Sequence, residues 1–379
     1  MHRELKKNLD LEALRTIAIG FTVLAHIAFI LSPTSAYWHV LEHARFGSGV
    51  DLFFCISGFI ITRSIMFELP DRPSMMGFLS LAVPFWKRRA QRLLPAAVLW
   101  VAMAMLAAWC YGGDGTFPPL ADQAKGAAAA LFQYFNGYWL LCRAERTCGP
   151  LGAFWSLSLE NQFYFVLPIA AACLTRRWLP VLFAIGFLVQ VAIPRNINEP
   201  GTLGAWVFRT DAICLGVLLA FWTNYCSYKK ALPTWMRHPF PSVFTSVTLC
   251  VLLAAFTSPH PWIAAQTGAV AVVSALLVWI ASYDEGLLVS SRTGRAVVAY
   301  VGSRSYSIYL SHLFAMYVIL DLWRRRGWLD GHHDAAAVAW FLALTWLMSE
   351  ASYRFVERPL MPRRRATIDV TVATRADPA

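Results

Sequence analysis

The sequence predicts an all-α, polytopic membrane protein, a bundle of about ten transmembrane helices, and three observations carry that prediction. Of 379 residues, 58% are hydrophobic and only 15% charged, with a mean hydropathy of +0.49. A water-soluble chain of this length needs far more polar surface. Apolar runs of spanning length recur near 11–31, 47–67, 93–111, 155–174, 178–194, 206–223, 242–258, 262–282, 305–323 and 335–356. Lys and Arg gather at the ends of those runs, as membrane topology requires, and 16 Trp suit the two interfaces.

The basic residues also set an orientation. A cytoplasmic N-terminus puts Lys6, Lys7, Lys87, Arg88, Arg89, Arg92, Arg176, Arg177, Lys229, Lys230, Arg292, Arg295 and Arg363 to Arg365 on that side. The opposite side receives chiefly Arg143, Arg146, Arg195 and the Arg324–Arg326 cluster, and that cluster runs against the bias at the last two spans. The expectation is an even number of spans with both termini cytoplasmic. Residues 1–365 then form one integral-membrane domain, followed by a polar, disordered tail at 366–379. The N-terminus has the basic, apolar and small-residue order of a secretory signal, but its apolar run is longer than a signal core, so it reads as an uncleaved first span. The net charge of +11 raises a nucleic-acid reading, which fails because no basic, aromatic-interleaved soluble domain exists to carry one.

The first span, LDLEALRTIAIGFTVLAHIAFIL, carries Arg15 and His26. Eleven residues at about 100° each return to within roughly 20° of the start, so both side chains share a face about 16 Å apart. A charge and a titratable group inside a membrane usually mark a polar pathway, although an interfacial anchor and a core histidine fit the same residues. The second span opens GVDLFFCISGFIITR, with Asp51 at one end, Arg63 at the other, and Gly47, Gly49 and Gly58 permitting close helix approach. In FWKRRAQRLLP, Arg89 and Arg92 are three apart and can grip one anion, or serve only as topology anchors. GPLGAFWSLSLENQFYFVLP brings Trp155, Ser156, Ser158, Glu160, Gln162 and Tyr164 to the start of an apolar run. A carboxylate there needs a partner, with Arg15, Arg63, Arg209 or His26 as candidates, while Trp155 and Tyr164 can stack on a sugar. FRTDAICLG offers Arg209 and Asp211 as a site or an ion pair, and YVGSRSYSIYLSHLF places Tyr306, Tyr309 and His312 at a spacing of three. SYRFVERPL puts Arg354, Glu357 and Arg358 at a membrane surface, and His332, His333 and Asp334 make only a weak metal clip. The eight cysteines show no metal spacing. Cys142 and Cys148, in the long loop 112–150, can close a small disulfide in an oxidising compartment, and spacing alone leaves two free thiols equally open. No P-loop, HExxH or GxSxG motif is present.

Taken in order, Arg15 with His26, GVDLFFCISGFIITR, Arg89 with Arg92, FWSLSLENQFYF, FRTDAICLG, SYSIYLSHLF and the final VERPL resemble the membrane acyltransferase-3 family over about 11–360. Its members are typically bacterial inner-membrane proteins that move acyl groups, often acetyl, to surface polysaccharides, nodulation factors or macrolides. The resemblance implies a catalytic histidine at His26, a required arginine at Arg15, and an acyl-CoA side at Arg89 and Arg92. Some relatives carry an added soluble hydrolase-like domain of the SGNH type. This chain shows none after its last span, which leaves room for a separate periplasmic partner.

Transfer from a thioester to a hydroxyl needs a base, and an imidazole suits it near neutral pH. His26 is expected to act as that base, or as a transient acyl relay. Glu160, or else Asp51, is expected to fix its tautomer, giving a catalytic set of His26, Arg15 and Glu160. Acyl-CoA, most simply acetyl-CoA, is the expected donor substrate at Arg89 and Arg92, with no permanently bound cofactor and no metal. Asp51, Trp155, Tyr164, Arg209, Asp211 and His312 are expected around the acceptor, a glycan or other hydroxyl-bearing molecule. The rival reading is a transporter or flippase of a glycan or lipid-linked substrate, which also places charges inside a polytopic bundle.

Overall fold

A computed structural model describes residues 8–66, 68, 75–113, 115–193, 195, 207–259, 265–328 and 331–361. Lys6, Lys7, Arg363 to Arg365 and the expected tail at 366–379 lie outside the described residues. Among the described residues the chain is helical, with no strand. The principal helices are α1 (Leu9–Ile27), α2 (Tyr37–His43), α3 (Gly49–Ile65), α4 (Met75–Tyr111), α5 (Leu120–Leu131), α6 (Phe135–Ala144) and α7 (Phe154–Cys173). They continue as α8 (Leu179–Ala192), α9 (Asp211–Trp222), α10 (Cys226–Ala231), α11 (Pro239–Phe256), α12 (Gln266–Ser282), α13 (Arg292–Arg326) and α14 (Asp334–Ser352).

Among the described residues, five segments are long and apolar enough to cross a bilayer: Leu9–Ile30, Met75–Tyr111, Pro239–Phe256, Arg292–Arg326 and Asp334–Leu360. The expected count of about ten is therefore not confirmed. The physical reason is helix length. The apolar helices Leu179–Ala192, Asp211–Trp222 and Gln266–Ser282 are shorter, and the twelve residues of α9 cover about 18 Å of a hydrocarbon layer about 30 Å thick. The apolar run at 206–223 outlasts its helix, because Phe208 to Thr210 precede the first turn of α9. Large apolar side chains stay exposed along α4, α8, α11 and α14, among them Val98, Leu106, Leu188, Phe244, Val251, Trp340 and Leu347. Water would make such a surface costly, whereas lipid accepts it.

Polar groups instead occupy the interior. Gly58 of α3 lies against the Ile213 carbonyl and Gly216 of α9 against the Cys55 carbonyl, so a Cβ on either would collide with the other helix. Gly49 meets α1 in the same way at the Ala18 carbonyl, but Gly47 has open space around it and does not serve helix approach. Across the α3–α9 seam the Arg209 guanidinium donates to both carboxylate oxygens of Asp51, at 2.8 and 2.5 Å, and both side chains are buried. Asp211 pairs with Arg195, whose Nη1 lies 2.9 Å from Oδ2. At the far end Glu357, expected at a surface, is buried and accepts from Ser307 of α13, while Arg354 pairs with Glu350. The π-turn Tyr353–Glu357 rotates the chain enough to turn Glu357 inward.

Candidate active site

The polar stripe of α1 organises the site. Arg15, Thr22 and His26 fall seven and four residues apart, on one face, and each opens to a cavity. A narrow arginine cavity of about 80 Å³ is lined by Arg15, Arg89, Arg92, Ser57, Glu160, Tyr164, Tyr306 and apolar side chains of α3. A larger histidine cavity of about 460 Å³ is lined by His26, His312, Trp139, Trp155, Arg143, Arg146, Arg209 and the Cys142–Cys148 pair. Val50 and Tyr309 line both cavities, so the partition is about one side chain thick.

In the arginine cavity α4 turns Arg89 and Arg92 inward and leaves Lys87 and Arg88 exposed. The three-residue spacing makes that division, since it puts two of the four cations on one face. The Arg89 guanidinium sits 5.3 Å from the centre of the Tyr164 ring and 5.6 Å from that of Phe85. Arg15 Nη1 donates to Glu12 at 3.0 Å. Glu160 accepts from Ser57 Oγ and from the Tyr164 hydroxyl, each at 2.5 Å. It thus places a carboxylate among three cations rather than beside the histidine.

In the histidine cavity the imidazole is oriented by its own helix. His26 Nδ1 lies 2.7 Å from the Thr22 carbonyl, which can only accept, so Nδ1–H donates to it and Nε2 keeps the lone pair of the neutral ring. Neither Glu160 nor Asp51 fixes the tautomer, contrary to expectation: the first bonds to Ser57 and Tyr164, the second to Arg209. His312 of α13 repeats the arrangement, with Nδ1 at 2.6 Å from the Tyr309 carbonyl and 3.2 Å from that of Ile308. The two rings stand edge to face, 4.8 Å between centroids. Trp155 offers an indole to the cavity, with the Arg209 guanidinium 5.8 Å from its ring. Cys142 and Cys148 are joined as a disulfide, settling a pairing that spacing had left open.

The expected residues are therefore divided between two places. Arg15, Arg89, Arg92, Glu160 and Tyr164 meet at the arginine cavity, and His26, His312, Trp155 and Arg209 at the histidine cavity. Asp51 and Asp211 line neither and hold arginines instead. Asp334 of the weak metal clip accepts from the Ser32 backbone at 3.0 Å and hydroxyl at 3.1 Å, while His333 stacks on Trp328. Sequence reasoning gave no role to Ser57, Thr22 or Tyr309. The Tyr309 hydroxyl shares a 2.5 Å hydrogen bond with Ser156, and its spacing of three from Tyr306 and His312 was the available signal.

Apolar helices that enclose two adjoining polar cavities, one cationic and one bearing paired imidazoles, define a helical membrane protein with a site built for charge and proton chemistry. The chain belongs to the acyltransferase-3 family, whose model, an acyltransferase domain, matches residues 8–350. It is similar to the O-acetyltransferase OatA of Staphylococcus aureus strain NCTC 8325, 26% identical over 361 residues, which cover 90% of this chain and 56% of that protein. The OatA of strain COL is similar to the same extent, 26% over 361 residues with the same two coverages. The chain thus spans about half the length of the curated relatives it matches. No solved structure matches it.

Proposed function

We propose that the protein is a membrane O-acyltransferase that moves an acyl group, acetyl in the simplest case, from acyl-CoA to a hydroxyl of a cell-surface polysaccharide, lipid-linked glycan or similar acceptor. The observation that carries this reading is α1, which presents Arg15 to one cavity and His26 to the next on a single face. Arg15, Arg89 and Arg92 hold the phosphates of the donor, since guanidinium groups bind phosphate oxygens in forks. The pantetheine arm then passes the Tyr309 partition toward Nε2 of His26. The acceptor occupies the histidine cavity, stacked on Trp155 and steadied by Arg209 and His312, with its hydroxyl at the imidazole. Asp51 and Asp211 contribute by fixing arginine positions, and Glu160 with Tyr164 sets the charge and shape of the donor side.

The disulfide beside the histidine cavity supports an orientation, because such bonds persist in oxidising compartments. The acceptor side then faces out of the cell and the arginine cavity faces the cytoplasm of a bacterial inner membrane, with both termini cytoplasmic. The name of the OatA relatives supports acetyl as the group and oxygen as the acceptor atom. A separate periplasmic partner can receive or present the acceptor.

The test is transfer of label from acetyl-CoA to cell-envelope glycan in membranes holding wild type or His26→Ala at matched levels. Label that appears with wild type and falls to background with the variant is the expected result. Equal transfer by both would make His26 a packing residue and end this reading of the site.

A further inference from the structure

Acyl transfer through a covalent histidine needs a nucleophile and a separate base, and the histidine cavity contains two imidazoles. An imidazole that carries an acyl group on Nε2 has spent its only lone pair, because its Nδ1 proton is committed to a backbone carbonyl. It then has no means of accepting the proton of an incoming hydroxyl. His312 is fully buried, its ring centroid is 4.8 Å from that of His26, and its Nδ1 is likewise committed to the backbone. Its Nε2 has no hydrogen-bond partner among the described residues, and the side chain lines the same cavity. A histidine kept only for packing normally has both ring nitrogens satisfied, since an orphaned buried polar atom costs about 1–3 kcal/mol. This nitrogen instead keeps an unused lone pair, buried beside the His26 ring.

We propose that His26 is the acyl carrier and His312 the general base of the second half-reaction, an inference that rests on the acyltransferase reading above. In the first half, the Nε2 lone pair of His26 attacks the thioester carbonyl, and an N–C bond forms as the C–S bond breaks. The electron pair leaves with sulfur as the CoA thiolate, which takes a proton from water. In the second half, the acceptor hydroxyl oxygen attacks the acyl carbon of His26 while its proton passes to Nε2 of His312. The N–C bond breaks and returns the lone pair to His26. His312 then releases its proton to water, replacing the one that the thiolate took. The net products are the O-acyl ester and CoA thiol.

The division of labour is read by separating the halves. Full-length protein in proteoliposomes without glycan is mixed with acetyl-CoA, and the burst of free CoA per enzyme is measured. Transfer to added cell-envelope glycan is measured in parallel. His312→Asn is the informative variant, because its amide nitrogen can still donate to the Tyr309 carbonyl while the Nε2 base is deleted. The expected result is a burst within about twofold of wild type, with transfer to glycan lowered by about 10²–10⁴-fold, the usual contribution of a general base. Imidazole added to the buffer is expected to restore part of that transfer, which a purely structural role would not allow. His26→Ala is expected to lose burst and transfer together. Loss of the burst in His312→Asn, or glycan transfer at the wild-type rate, would overturn the assignment. A wild type that labels glycan but shows no burst would overturn the relay and leave His26 as a direct base. A wild type that neither releases CoA nor labels glycan would remove the acyltransferase reading itself.

Discussion

On α1 the Thr22 carbonyl accepts a hydrogen bond from Nδ1–H of His26, so a backbone group does the orienting work that a carboxylate performs in many catalytic sites. Glu160 serves a different purpose: its oxygen accepts from Ser57 and Tyr164 in the arginine cavity, where Arg15, Arg89 and Arg92 converge. Glu160→Gln keeps an acceptor oxygen for both hydroxyls but removes a negative charge from among the cations. The expected outcome is a changed KM for acyl-CoA with the pH profile of kcat unmoved. A pH profile displaced by more than about half a unit would show that the carboxylate is coupled to the imidazole after all. The common face of Arg15 and His26 was legible because helical period alone fixes it. The Asp51–Arg209 pair was not, since its members lie 158 residues apart and only the α3–α9 packing brings them together. Arg209 and Asp211 looked like a pair in the sequence. Residues two apart do not face each other, and each found its own buried partner.

At the scale of elements, the α3–α9 seam carries the buried ion pair and holds Arg209 at the histidine cavity. Its closeness depends on two positions without side chains, Gly58 and Gly216, each against a carbonyl of the opposite helix. Gly216→Val should force the helices apart and lower stability by about 1–3 kcal/mol or more, the usual cost of overpacking. Gly47→Ala is the matched control, because open space surrounds that glycine. Thermal unfolding in detergent should show a lower Tm for the first variant and no change for the second. Equal behaviour would mean that the seam tolerates separation. Helix existence was largely readable from apolar runs, but helix length was not. A hydropathy run does not register where a helix stops, so α8, α9 and α12 came out shorter than their runs.

For the whole molecule, the proposed function assigns the two cavities to different substrates: a polyanionic donor suits three arginines, and a hydroxyl acceptor suits imidazoles beside an indole. The division makes a prediction that separates donor capture from chemistry. Each lost arginine–phosphate contact removes a charge-assisted hydrogen bond, worth about 1.5–3 kcal/mol. Arg89→Gln with Arg92→Gln should then raise the KM for acetyl-CoA by at least about 10²-fold while kcat changes by less than about threefold. A truncated donor, the acetyl thioester of N-acetylcysteamine, has the reactive group without phosphates. It should be used poorly by wild type, and the double variant should use it equally well, because neither enzyme can grip what the donor lacks. If the double variant loses activity toward both donors in proportion, the arginines act on the shape of the cavity and not on phosphate. If it loses activity toward neither, the donor enters elsewhere, and the path along α1 from Arg15 to His26 is not the route of the acyl group.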